Sequence, residues 1–189
     1  MDSRFLKPTA ILATVNVLVY IYTSVVGGSF LETNPLILMT YGQVNILVIR
    51  GLYWQVFSSM FIHANVVHLS GNLLFLLIFG LRSEKFFNNK TYLTVYFVSG
   101  LLGNFLSLLL GPLVVSVGAS GCIFGIFGAY IVYLGASFGR SITPTLIYGL
   151  YLFLLNVGTG VNIVAHFGGL LAGILIGYVL SKRHKPMML

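Results

Sequence analysis

Three long stretches of this chain carry no charge. No Asp, Glu, Lys or Arg lies between Arg50 and Arg82, between Lys90 and Arg140, or between Arg140 and Lys182. A helix crossing a bilayer needs about 20 mostly apolar residues, so the last two stretches have room for two crossings each. With 58% hydrophobic and 7% charged residues, the chain reads as an all-α polytopic membrane protein, far from the usual soluble balance. The formal charge of +7 does not point to nucleic acid. The basic residues form no stripe with interleaved aromatics; they fall at the ends of oily runs, as topology signals do. The lipid bilayer is therefore an expected partner and nucleic acid is not.

Charge gaps and helix breakers place six spans, at about residues 10–26, 66–81, 91–110, 120–138, 142–155 and 161–180, in a single membrane domain covering 1–189. The third stops at Gly111-Pro112, and the fifth is short and begins near Pro144, where a proline is tolerated. Arg4 and Lys7 before an apolar run resemble a signal peptide, but Asn16 within the run and the lack of a clear small-x-small cleavage site favour an uncleaved span. Arg4, Lys7, Arg82, Lys85, Lys90, Arg140, Lys182, Arg183 and Lys185 fall on one side of this arrangement, and only Arg50 on the other. The positive side faces the cytoplasm, so both termini are expected there. Little lies beyond the six spans, which points to a prokaryotic plasma membrane, with an organelle membrane as the alternative. Nothing in the sequence speaks to oligomeric state.

Ionisable residues inside a span mark a functional site by default. His68 and His166 are two such residues, and Asn72 lies one turn after His68 on the same helical face. Ser120 opens the fourth span. Spans two, four and six all run from outside to inside, so His68, Asn72 and His166 lie within the first turns of their helices. At ~1.5 Å per residue, His166 sits about 8 Å into its span. The short, uncharged loop "GPLVVSVGA" before Ser120 can dip inward, because irregular backbone at membrane depth is tolerated when buried in protein or lining a wet cavity.

A serine hydroxyl becomes a nucleophile when a base takes its proton, and neutral histidine is the usual base. The only carboxylates are Asp2, Glu32 and Glu84, none inside a span, so a Ser120–His166 dyad is expected rather than a triad. An oxyanion needs donors aimed at its developing charge. The open backbone N–H groups at Ser120, at a helix N-terminus, supply some, and the Asn72 amide and a His68 ring N–H add two. Phe124, one turn after Ser120, is placed to stack on the His166 ring. No cofactor is needed. A metal is disfavoured, because His68 and His166 have no inward carboxylate or cysteine to complete a zinc set.

These residues resemble the rhomboid family of intramembrane serine proteases. The family's G-x-S-G motif appears as Gly118-Ala119-Ser120-Gly121, its A-H-x-x-G-x-x-x-G motif as "AHFGGLLAG" from Ala165 to Gly173, and its H-x-x-x-N motif as "HLSGN" from His68 to Asn72. The order along the chain agrees, and the resemblance covers nearly all of it. It implies a six-helix rhomboid-like bundle with Ser120 as nucleophile, His166 as base, and His68 and Asn72 as oxyanion donors. Gly118, Gly121, Phe124, Gly169 and Gly173 are supporting residues. Glu84 matches a family glutamate of structural character. The implied substrates are transmembrane proteins, cut in or beside their membrane segments. One departure is the family's Trp-Arg pair in the first outward loop, which reads Trp54-Gln55 here.

Blander readings apply to several positions. Gly121, Gly125 and Gly128 line one helical face, as do Gly169, Gly173 and Gly177; such spacing serves tight membrane packing, and close packing of spans four and six would itself bring Ser120 to His166. Cys122 reads as a small buried hydrophobe, His63 as a loop-packing residue, and His184 as part of a solvated tail. Tyr53, Trp54 and Phe57 read as an interfacial aromatic belt or as a laterally embedded loop. The rival class is a non-catalytic membrane protein, either a transporter or a chaperone-like relative. An ion-coupled transporter would usually bury a charged residue in its path, and no span has one. The short fifth span is the expected moving part.

Overall fold

Asparagines and prolines set most of the helix starts. The computed structural model describes residues 7–139, 141–144, 147, 151 and 162–183. Helix α1 (Pro8–Gly27) has proline in its first turn and ends at Gly28 in the left-handed region, φ 73°, the usual asymmetry of helix ends. In the loop that follows, α2 (Pro35–Tyr41) is capped by Asn34; then come β1 (Gln43–Val44), α3 (Asn45–Ile49) and α4 (Gln55–Ser58). Helix α5 (Val66–Ser83) is capped by Asn65, which accepts from the His68 N–H at 2.8 Å. It passes through a π-helical turn at Leu76–Gly80. Asn88 caps α6 (Asn89–Ser107) in the same way, at the Thr91 N–H. A second strand, β2 (Val115–Ser116), precedes α7 (Ser120–Phe138). Asn162 accepts from the Ala165 N–H at 2.9 Å at the start of α8 (Ile163–Arg183).

Five helices among the described residues, α1, α5, α6, α7 and α8, are long and apolar enough to cross a membrane. They lie on the expected spans 10–26, 66–81, 91–110, 120–138 and 161–180. The expected fifth span, 142–155, falls mostly outside the described residues, as do Asp2, Arg4, Arg140, His184 and Lys185.

Helix α7 is the centre. Of its apolar window 56% is buried inside the protein, against 28–39% for the other four. Missing side chains make that possible. A Cβ on Gly169 would lie 2.0 Å from the Gly121 carbonyl oxygen, one on Gly173 2.0 Å from that of Gly125, and one on Gly177 2.5 Å from that of Ala129. These are backbone contacts, so neither helix could yield without moving as a whole. A third helix joins the seam, a feature the glycine spacing of spans four and six did not announce. A Cβ on Gly103 of α6 would lie 2.3 Å from the Ala165 carbonyl oxygen, and one on Gly100 would lie 2.2 Å from the Cys122 sulfur. Cys122 is fully buried, its sulfur 3.4 Å from that of Met60.

Side-chain amides fix the loop between α1 and α5. Gln55, in the Trp54-Gln55 pair, is fully buried. Its Oε1 accepts from the Val44 N–H at 3.0 Å, and its Nε2 donates to the Met39 and Thr40 carbonyls at 3.0 Å each. A neutral amide thus braces the loop from within. Asn45 donates to the Ser107 and Gly111 carbonyls, and Asn104 of α6 donates to the Val56 carbonyl. The ribbon of Gln43 opposite Ser116 and Val44 opposite Val115 ties this loop to the segment before Ser120. Phe57 stacks on Phe97, centroids 5.7 Å apart. Phe97 lies ten residues before the end of α6, about 15 Å along its axis. Tyr53, Trp54 and Phe57 are exposed. The loop therefore packs against the side of α6 rather than over its end. At the opposite end, Glu84 accepts from the Thr9 N–H at 2.7 Å, with Lys7 at 3.9 Å, and so ties the start of α1 to the end of α5.

Candidate active site

The turn before α7 is built around one glycine. Gly118 has φ +116°, a region that L side chains rarely adopt. A Cβ there would also meet His68 Nε2 at 2.7 Å and Cε1 at 2.8 Å. Glycine is required twice, once by the backbone and once by the imidazole it faces. The Gly118 N–H donates to the Ser59 carbonyl at 2.9 Å, which anchors the turn. After it, α7 differs from the asparagine-capped helices: Ala119 precedes Ser120, and no side chain caps the helix. The first N–H groups of α7 are therefore left facing the site, with the positive end of the helix dipole.

Ser120 Oγ lies 2.5 Å from His166 Nε2. His166 stands on α8, one turn inside the Asn162 cap, and is buried. The glycine seam is what allows this approach, because α7 and α8 meet backbone to backbone along Gly121–Gly169 and Gly125–Gly173. The Phe124 ring lies 4.9 Å from that of His166 at an interplanar angle of 40°. It is tilted against the imidazole rather than stacked flat on it. Asn72 donates to the His68 carbonyl at 2.9 Å, and its Nδ2 lies 3.7 Å from a Cβ built on Gly118. The second hydrogen of that amide remains for another acceptor.

Ser120, His166, His68, Asn72, Gly118, Gly121 and Phe124 all line one cavity of about 370 Å³. Gly169 and Gly173 are not in its wall; they stand behind it on the seam. Several other wall residues were not singled out from the sequence, among them Asn104, Ser116 and Asn162. Asn162 donates to the hydroxyls of Ser107 and Ser116, and those two hydroxyls are 2.9 Å apart. An asparagine just before a helical run is a capping signal; four residues ahead of His166, it pointed to this residue. Nothing in the sequence announced the two serines, which meet through the ribbon. Of the carboxylates, Glu84 is engaged with Thr9 and Lys7, Glu32 is exposed on the loop between α1 and α5, and Asp2 lies outside the described residues. Among the described residues, no three His, Cys, Asp or Glu converge as metal ligands.

The family model described as Rhomboid domain matches residues 50–183. Rhomboid-like protease 3 of Toxoplasma gondii is 32% identical over 181 residues, covering 91% of this chain and 68% of that protein. RHOMBOID-like protein 6, mitochondrial, of Arabidopsis thaliana is 34% identical over 136 residues, 69% of this chain and 44% of that one. Rhomboid protease GluP of Bacillus subtilis is 29% identical over 187 residues, 93% of this chain and 35% of that one. The chain thus spans less than half the length of the latter two. With the family model matched across all but one of the candidate membrane helices, this chain is an integral, multi-pass membrane protein and belongs to the rhomboid protease family.

Proposed function

We propose that this chain is an intramembrane serine endopeptidase working through a Ser120–His166 dyad. The observation that carries the reading is the 2.5 Å contact of Ser120 Oγ with His166 Nε2 inside the cavity. Ser120 Oγ attacks a peptide carbonyl while its proton passes to His166 Nε2. The carbonyl becomes a tetrahedral oxyanion beside the uncapped N-terminus of α7, with Asn72 and the His68 ring as further donors. His166 returns the proton to the leaving amine, leaving an acyl-enzyme on Ser120. Water then attacks the ester as it loses a proton to His166; the ester C–O bond breaks and His166 passes that proton to the departing Ser120 Oγ, which frees the serine and releases the new carboxyl end. No carboxylate is required to orient the imidazole; Phe124 and the seam hold it in place.

The substrates are transmembrane proteins, cut in or beside their spans. A helical segment hides its carbonyls in hydrogen bonds, so the substrate must unwind at the cut. The fold is a six-span bundle with both termini in the cytoplasm, in a prokaryotic plasma membrane, and the site opens outward. The test is cleavage of a single-span protein in proteoliposomes, with the products sized by mass spectrometry. The expected result is one cut at or near the membrane segment, abolished in Ser120→Ala. Cleavage that survives Ser120→Ala would refute the dyad, and an intact substrate with folded wild type would favour a non-catalytic relative.

A further inference from the structure

His63 is a buried imidazole that the proposed chemistry does not use. It is fully buried, and neither ring nitrogen has a hydrogen-bond partner among the described residues. The Phe61 carbonyl is close without making a bond of normal geometry. Burying an unsatisfied polar group costs stability, so an apolar side chain would serve better if filling space were the only task. Its backbone is held on both sides: the His63 carbonyl accepts from the Thr33 hydroxyl at 2.7 Å, and the Thr33 N–H donates to the Ala64 carbonyl at 2.8 Å. From that fixed base its ring meets the ring of His68, centroids 5.2 Å apart and planes at 71°. His68 is itself fixed at its N–H by Asn65 and turns Nε2 toward Gly118.

We propose that His63 is a positioning residue whose polar ring, set at a steep angle against that of His68, holds the imidazole with Nε2 turned toward the Gly118–Ser120 turn. The inference rests on the reading of His68 as an oxyanion donor. It explains why a polar ring occupies a dry pocket: the stability it costs is offset by the orientation of a neighbour that must donate in one direction. Misplacing a catalytic group by about 1 Å costs up to roughly a hundredfold in rate, so removing an orienting neighbour has a measurable effect.

The experiment uses the full chain in proteoliposomes with a fluorogenic transmembrane peptide. His63→Phe removes the ring nitrogens and keeps a ring; His63→Leu is the second variant, should the larger ring not fit. The expected result is a fall in kcat of roughly tenfold with KM within about twofold, together with a thermal midpoint that is unchanged or raised. A purely structural residue would lower the midpoint and the folded fraction together. In a His68→Ala background the His63 substitution should cause no further loss, because the residue it positions is gone. Unchanged kcat in both His63 variants, or losses that multiply with that of His68→Ala, would overturn the inference. His68→Ala alone separates this from the underlying reading: full activity there would defeat the oxyanion role itself, and the positioning role with it.

Discussion

At the scale of single residues, the site rests on a few atoms with strict demands. Gly118 adopts a φ that other residues avoid and faces His68 where a methyl would collide. Asn72 keeps one amide hydrogen for its own helix and has another to give. Losing one oxyanion donor typically costs about 10²–10³ in kcat. Asn72→Ala should therefore lower kcat by about a hundredfold while substrate KM changes little, measured in the same proteoliposome assay. His63 makes a second prediction. Burial pushes its pKa from the ordinary 6.5 down to about 3, with His68 beside it adding to the shift and the Phe61 carbonyl partly opposing it. The unfolded chain takes up a proton on this residue below about pH 6.5 and the folded chain does not. Its contribution is therefore neutral above that pH, and stability falls as pH drops from 6.5 toward 3, by up to about 1.4 kcal/mol per unit. His63→Phe should flatten the decline of thermal midpoint between pH 6.5 and 4.5; an identical slope would contradict the assignment.

At the scale of elements, the decisive interaction is glycine against carbonyl. The spacing of Gly121, Gly125 and Gly128 against Gly169, Gly173 and Gly177 was legible in the sequence, as was its consequence that α7 and α8 approach closely. The part played by α6 was not: Gly100 and Gly103 look like ordinary small residues until Cys122 and Ala165 come to lie over them. Nor was the loop between α1 and α5 legible. Gln43, Gln55, Asn45 and Asn104 read as scattered polar residues, and their pairing depends on segments far apart in sequence. Gln55 answers the departure from Trp-Arg, because its amide reaches three backbone groups without needing a charge. The seam makes a prediction of its own. A side chain at Gly173 would meet the Gly125 carbonyl oxygen at 2.0 Å, so α7 and α8 must separate to admit it. Gly173→Val should cost about 1–3 kcal/mol of stability from overpacking and lower activity more than its folded fraction explains, although Gly173 is not in the cavity wall.

At the scale of the whole molecule, the uncharged stretches dictated a helical membrane protein, and three short motifs in order pointed to the family. Ser120 and His166 are 46 positions apart in the chain, and His68 and Asn72 lie on another helix again. They meet because three helices start around one cavity and the seam draws two of them together. The Gly118 turn is held there by Ser59 and by the ribbon to the loop between α1 and α5. The central claim is that this assembly makes Ser120 a nucleophile and His166 its base. It is tested most directly by labelling the detergent-purified protein with a fluorophosphonate probe, beside Ser120→Ala and His166→Ala variants shown to be folded. The account predicts a labelled wild type and no labelling of either variant. Labelling that persists in Ser120→Ala, or a folded wild type that never reacts, would contradict it.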